Sequence, residues 1–417
     1  MQLRHLGAAL ALALPLLAGC RSDDELASPD LSTSNGMFQR YVSMGNSITA
    51  GFQGQGIGPS TQLAAYPVLV AQAAGASGSF NVPLLAGVGC PPPLSNNVTG
   101  ERVVNGVNYT ATTCQLRSPS TATAVSNVAV PGVRVQDVLS NSAGAQNFLT
   151  QLFLGGIPQV EAMQRADPTF VSVWLGNNDV LGSLTSSTNP GNTAVITSQD
   201  NFQDAYGKVL GAVSSTEPQG AILIGVVDVT NAAYASPGAL WFCLKNGCPG
   251  VPANPAFPAN FQVDLSCAPI ASGAPTAKGD SVLVPFTVGA ARLGAARAGA
   301  TGAAATLDCT QTNQVVLPAE FKALRDAVAG YNAYISAQAT RLGYAYWDPN
   351  PTLAAGRARG DVSPFPLFGT TATAPITFGS WISLDGVHPS SLAHRVIADS
   401  VIATVNRVYG TTIPQVQ

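Results

Sequence analysis

The sequence predicts a three-layer α/β fold, a central parallel sheet with helices on both faces, and three observations carry that reading. Short apolar runs rich in β-branched or aromatic residues recur at 41–44, 125–130, 169–175, 221–227 and 344–347. Helical stretches lie between or after them, since residues 136–154, 198–215, 318–342 and 390–408 carry apolar side chains at spacings of three and four. The strand candidates are nearly continuous in apolar character rather than alternating, as strands buried on both faces are. About five parallel strands are therefore expected. In such sheets ligands bind at the carboxyl ends of the strands.

One folded domain is expected over residues 38–410. Residues 231 to about 316 break its rhythm, being dense in Pro, Gly and Cys with no helical period until Pro318, a residue suited to a helix start. They read as an insertion between the fourth strand and the next helix. Residues 85–122 form a smaller one. Long loops near the carboxyl edge of a sheet commonly shape a pocket or cover it.

Charged residues are only 10% of the 417, against a typical figure of about 25%. Lys and Arg number 19 against 22 Asp and Glu, with no basic cluster to track a phosphate backbone. Nucleic acid is excluded as a partner on that ground. At the start, Arg4 and His5 precede an apolar run from Leu6 to Leu16 and then Leu17-Ala18-Gly19-Cys20. Eleven apolar residues are too few to span a bilayer. Residues 1–19 resemble a bacterial lipoprotein signal peptide, which implies export, acylation of Cys20 and anchorage to a membrane. Residues 20–37 are polar and aperiodic, as a tether would be.

Six cysteines remain: Cys90, Cys114, Cys243, Cys248, Cys267 and Cys309. In an exported protein an even number suggests up to three disulfides. Proximity favours Cys90 with Cys114 and leaves the other four to staple 243–309. No histidine lies within 75 residues of these cysteines, so no metal site is expected. No cofactor is expected either. The glycines at 51, 54, 56 and 58 do not spell a dinucleotide fingerprint and predict a mobile loop beside Ser47.

Beyond the signal segment the chain has two histidines, His388 and His394, which limits any acid–base proposal. His394 falls inside the last predicted helix and reads as an ordinary, partly exposed helix residue. His388 lies in Ser383-Leu384-Asp385-Gly386-Val387-His388-Pro389, a loop that ends where Pro389 and Ser390 open that helix. Three residues earlier, Asp385 can turn its carboxylate onto the imidazole, fixing its tautomer. A second constellation is Tyr41-Val42-Ser43-Met44-Gly45-Asn46-Ser47, an apolar strand running into a turn that sets a serine hydroxyl at its carboxyl end. A serine hydroxyl is barely ionised at neutral pH and needs a neighbouring base to act as a nucleophile. In Trp174-Leu175-Gly176-Asn177-Asn178-Asp179, Asn178 can donate a side-chain N–H to a developing oxyanion. Asn127-Val128-Ala129-Val130-Pro131-Gly132 ends another strand at a glycine whose backbone N–H no side chain shields.

These four blocks, in this order, resemble the SGNH or GDSL-type hydrolase family, and they run from about residue 40 to 410 apart from the insertion. The resemblance implies a flavodoxin-like fold and hydrolysis of carboxylic esters. It implies Ser47 as nucleophile, His388 as base with Asp385 behind it, and an oxyanion hole from Gly132, Asn178 and the N–H of Ser47. One departure is Asn46, where the family's first block has Asp; Asn can make the same turn hydrogen bonds, at the loss of a charge beside the serine. A literal Gly279-Asp280-Ser281-Val282 follows no buried strand and reads as a turn within the insertion. The Gly-x-Ser-x-Gly of α/β-hydrolases is absent, and Arg359-Gly360-Asp361 reads as a chance turn. The competing expectation is a catalytically silent, lipid-anchored glycan- or lipid-binding protein on the same fold.

Overall fold

A computed structural model of the protein describes residues 36–120, 122–140 and 148–416. The expected acylation site, Cys20, lies outside the described residues, as do residues 141–147 of the expected helix 136–154. Four parallel strands form the central sheet: β1 (Tyr41–Gly45), β2 (Phe170–Trp174), β3 (Gly220–Ile224) and β4 (Ala345–Trp347), hydrogen-bonded in that order. The expected strand at 125–130 is an extended edge segment rather than a regular strand. Ser43 donates its N–H to Ser126 O at 2.9 Å, and Ser43 O and Gly45 O accept from Val128 N and Val130 N at 3.0 and 3.2 Å. With that segment beside β1, the spatial order in sequence terms is second, first, third, fourth, fifth, which is the flavodoxin-like order.

Around the sheet lie α1 (Ser47–Ala50), α2 (Tyr66–Ala73), α3 (Gln159–Arg165), α4 (Asn178–Thr185) and α5 (Gln199–Ser214). Further along come α6 (Gly238–Asn246), α7 (Phe286–Arg297), α8 (Pro318–Leu342), α9 (Asn350–Arg359) and α10 (Ser391–Tyr409). Every residue of β1, β2 and β3 is buried, and successive side chains enter opposite cores. Val42, Met44, Val171, Val173, Ala221 and Leu223 pack with the apolar faces of α3, α4, α5 and α8. On the other face Tyr41, Phe170, Trp174, Ile222 and Ile224 pack with α2 and α10. Strands buried on both sides need no polar alternation, which is why they read as continuous apolar runs. Each large side chain so enclosed contributes roughly 1.5–3 kcal/mol.

The long helices begin where their caps stand. Ser198 and Ser390 accept from the N–H of Asn201 and Ala393, and Pro318 occupies the first turn of α8. Helices α8 and α10 stop at Gly343 and Gly410, both left-handed with φ 67°.

The insertion departs from its expected lack of helices, for α6 and α7 lie within it. Residues 235–237 pair antiparallel with 283–285, and a separate apolar core gathers Trp241, Phe257, Phe261, Val284 and Leu293. The helices are short and their apolar faces irregular, because they pack on this small core rather than on the sheet. Disulfides join Cys90 to Cys114, Cys243 to Cys248 and Cys267 to Cys309. Gly279-Asp280-Ser281 is a turn: Ser281 N–H donates to Lys278 O at 2.9 Å, and the Asp280 carboxylate accepts from Ile270 N–H at 2.6 Å.

Candidate active site

Strand β1 delivers Ser47 to the carboxyl edge of the sheet. Gly45 is required there because a Cβ on it would lie 2.2 Å from Thr49 Oγ1, so the chain turns tightly into α1. Asn46 caps that helix, its side-chain oxygen accepting from Ile48 N–H at 3.2 Å. The turn bond expected of Asn in place of Asp is therefore present. Its Nδ2, wholly buried, has no hydrogen-bond partner among the described residues. Gln159 of α3 brackets Gly45 from the side, accepting from its N–H at 3.1 Å and donating to its carbonyl at 2.9 Å. Nothing in the sequence singled out Gln159, since a lone Gln at a helix start carries no pattern.

His388 Nε2 lies 2.8 Å from Ser47 Oγ, and its Nδ1 lies 2.9 Å from Asp385 Oδ2. Asp385 is 6% exposed and accepts three backbone bonds besides: from Val387 N and His388 N at 2.9 and 2.8 Å, and from Gln55 N at 3.0 Å. Burial alone would raise its pKa, but the imidazole and these donors outweigh it and hold the carboxyl well below the usual carboxylate range. An ionised carboxylate only accepts, so Nδ1 carries the ring hydrogen and Nε2 is left to accept the hydroxyl proton of Ser47. Phe52 packs against the imidazole with ring centroids 5.0 Å apart.

Gly132 and Asn178 follow the ends of the extended segment and of β2, which flank β1 on its two sides. Gly132 adopts φ 84°, a left-handed conformation that favours glycine, and is exposed at the edge. The Asn178 side chain donates to Val133 O at 2.8 Å, so one of its two amide hydrogens is already engaged and the other remains for a ligand. That bond, with the Asp179 carboxylate accepting from Val135 N at 3.0 Å, ties the Gly132 turn to α4. Burial raises the Asp179 pKa to about 6. The N–H of Ser47, in the first turn of α1, has no intrahelical acceptor.

Two expectations need correction. The Gly51–Gly58 segment is packed rather than mobile: a Cβ on Gly56 would lie 2.6 Å from Pro91 O, and one on Gly58 2.8 Å from Val88 O. Its glycines serve close backbone approach to the first insertion. Gly54 N–H also donates to Ser383 Oγ at 3.0 Å, next to the Gln55–Asp385 bond. His394 is fully buried, not partly exposed, with Nδ1 accepting from Tyr66 N–H at 3.2 Å. Helix α10 turns that position inward against α2, and burial, with His388 nearby, lowers its pKa to about 3. It takes no part in the Ser47 constellation.

No group of three or more His, Cys, Asp or Glu side chains among the described residues could hold a metal ion. Fold and site together define an α/β protein with a hydrogen-bonded Ser–His–Asp chain at the carboxyl edge of its sheet. A scan of family models and a search of curated proteins each gave no match. Among solved structures the chain is similar to a mutant of an acetyl-xylooligosaccharide esterase from Geobacillus Stearmophilus, at 10% identity and a TM-score of 0.35, over 88% of this chain and 93% of that one. A likeness that slight says nothing of what this chain does.

Proposed function

We propose that the protein is a serine hydrolase of the SGNH or GDSL type that cleaves carboxylic esters through an acyl-enzyme on Ser47. The observation that carries this reading is the continuous chain Ser47 Oγ to His388 Nε2 to Asp385, at 2.8 and 2.9 Å. Ser47 Oγ bonds to the ester carbonyl carbon while its proton passes to Nε2. The carbonyl oxygen gains the negative charge and takes hydrogen bonds from the N–H groups of Ser47 and Gly132 and from Asn178 Nδ2. As the C–O bond to the leaving alcohol breaks, His388 returns the proton to it. Water, deprotonated by the same imidazole, then releases the acid and regenerates the serine.

A silent binding protein has no use for a buried carboxylate that fixes the tautomer of a histidine on a serine. The expected setting is an exported protein held to a membrane through acylated Cys20. No helix among the described residues is long and apolar enough to cross a membrane, so the lipid would supply the attachment. Hydrolysis of a chromogenic short-chain ester tests the assignment. Ser47→Ala should lower kcat by roughly 10⁴-fold or more, and retained turnover in that variant would sink it.

A further inference from the structure

The Ser47–His388 pair stands in the wall of a cavity of about 110 Å³ whose lining contains no Asp, Glu, Lys or Arg. Its walls are Trp174, Trp347 and Trp381 with Leu181, Leu353 and Val362, drawn from β2, β4, α4, α9 and the loop before α10. Beyond Ser47 and His388, polar side-chain groups come from Asn46, Asn177, Asn178 and Thr352 and from the indole N–H groups of the tryptophans, of which that of Trp174 already donates to Gly225 O at 2.9 Å. The Asn46 and Asn177 amide nitrogens are buried without partners among the described residues and present almost no surface to a guest. A sugar or a charged headgroup inside would lose its water and find few replacements. An aliphatic chain would give up no hydrogen bond on entry and would gain roughly in proportion to the apolar area it buries.

Resting on the ester-hydrolase reading, we infer that this cavity holds the straight aliphatic acyl chain of the substrate, so that the enzyme selects medium-chain esters over acetyl esters. The direction follows from the site. Ser47, Asn178 and His388 all line the cavity, so the ester carbonyl is cleaved at its edge. The partly exposed side of His388, whose side chain is 14% exposed, is where the leaving alcohol departs to solvent, which leaves the acyl chain for the interior. A water-sized group needs on the order of 10–15 Å³ of such space, so the cavity takes about eight groups.

Three of the four tryptophans line the cavity, which gives a readout that needs no turnover. Methyl alkyl ketones of increasing length, titrated against tryptophan fluorescence, should bind about fourfold more tightly per added methylene and level off near eight carbons. Ala232→Phe and Thr352→Phe, which narrow the cavity from two sides, should each weaken the octyl ketone at least tenfold and the butyl ketone less. Chromogenic esters with a fixed leaving group should show kcat/KM rising with acyl length over the same range, and acetyl esters of lengthening alcohols should stay flat. Ketone affinity independent of length would overturn the inference, and so would a rise confined to the alcohol series. Length-dependent ketone binding without hydrolysis of any ester would leave the chain-binding cavity standing and remove the hydrolase reading instead.

Discussion

Asp385 and His394 are both buried ionisable side chains, and their surroundings hold them in opposite charge states. Four donors keep Asp385 ionised, whereas His394 has one backbone donor at Nδ1 and, among the described residues, no partner at Nε2, so only its neutral form fits. The folded pKa of His394, about 3, lies below its unfolded value of about 6.5, so the unfolded chain takes up the proton first as pH falls. Its contribution to stability is therefore complete above about pH 6.5 and is lost between there and about pH 3. Asp179 works the other way in part of that range: with its pKa raised to about 6, it favours the folded state below pH 4 and loses that contribution as pH rises through 6. Between about pH 6 and 4 the two contributions oppose each other, so thermal melts should show a nearly level wild-type profile there and a His394→Asn variant that gains stability as pH falls, by up to about 1.4 kcal/mol per pH unit. An unchanged slope in that variant would contradict the assignment. Asp385 and His388 were legible because a turn sequence carries both within four residues. The burial of His394 was not, since a helix period says which positions share a face but not how deeply that face is covered.

Elements set the site by contacts that no local pattern announces. The Gly-rich segment 51–58 presses the Gln55 N–H on Asp385, and Arg102, from the first insertion, donates to the Gln55 carbonyl at 3.1 Å and to Pro92 O. The Cys90–Cys114 disulfide closes the loop that carries Arg102. Arg102→Ala should release Gln55 from the carboxylate and lower kcat about tenfold, since hydrogen bonds to charged groups contribute about 1.5–3 kcal/mol, with Arg102→Lys recovering part of it. A pH–rate profile whose acid limb stays in place in Arg102→Ala would show that the loop does not reach the carboxylate. The long helices α5, α8 and α10 were readable because period and caps agree. Helix α2, Tyr-Pro-Val-Leu-Val-Ala-Gln-Ala, is apolar nearly all round, and α9 carries only one buried residue, so neither has a face for a period to reveal. The segment at 125–130 was expected as a strand and has the backbone bonds of one, but on one side only.

Across the whole molecule the sheet and the second insertion have separate cores. The three-layer order is dictated by doubly buried strands, and the sequence states that plainly. The insertion is different: its small core needs Cys267–Cys309, which closes a 42-residue separation. Removing that bridge by Cys267→Ala with Cys309→Ala should cost the insertion about 4 kcal/mol of chain-entropy stabilisation. Hydrogen exchange should then show α6 and α7 losing protection while β1 to β4 keep theirs; simultaneous loss would mean that the two cores unfold as one. Because α6 and α7 answer to a core that only the three-dimensional pairing creates, local pattern could not place them.

The central claim is that His388, held by Asp385, makes Ser47 a nucleophile. Treatment with a fluorophosphonate probe followed by peptide mass spectrometry tests it most directly. The account predicts a covalent adduct on Ser47 in the wild-type chain and its loss in His388→Asn. An unlabelled Ser47 in the folded wild-type protein, or an adduct on Ser281 instead, would contradict it.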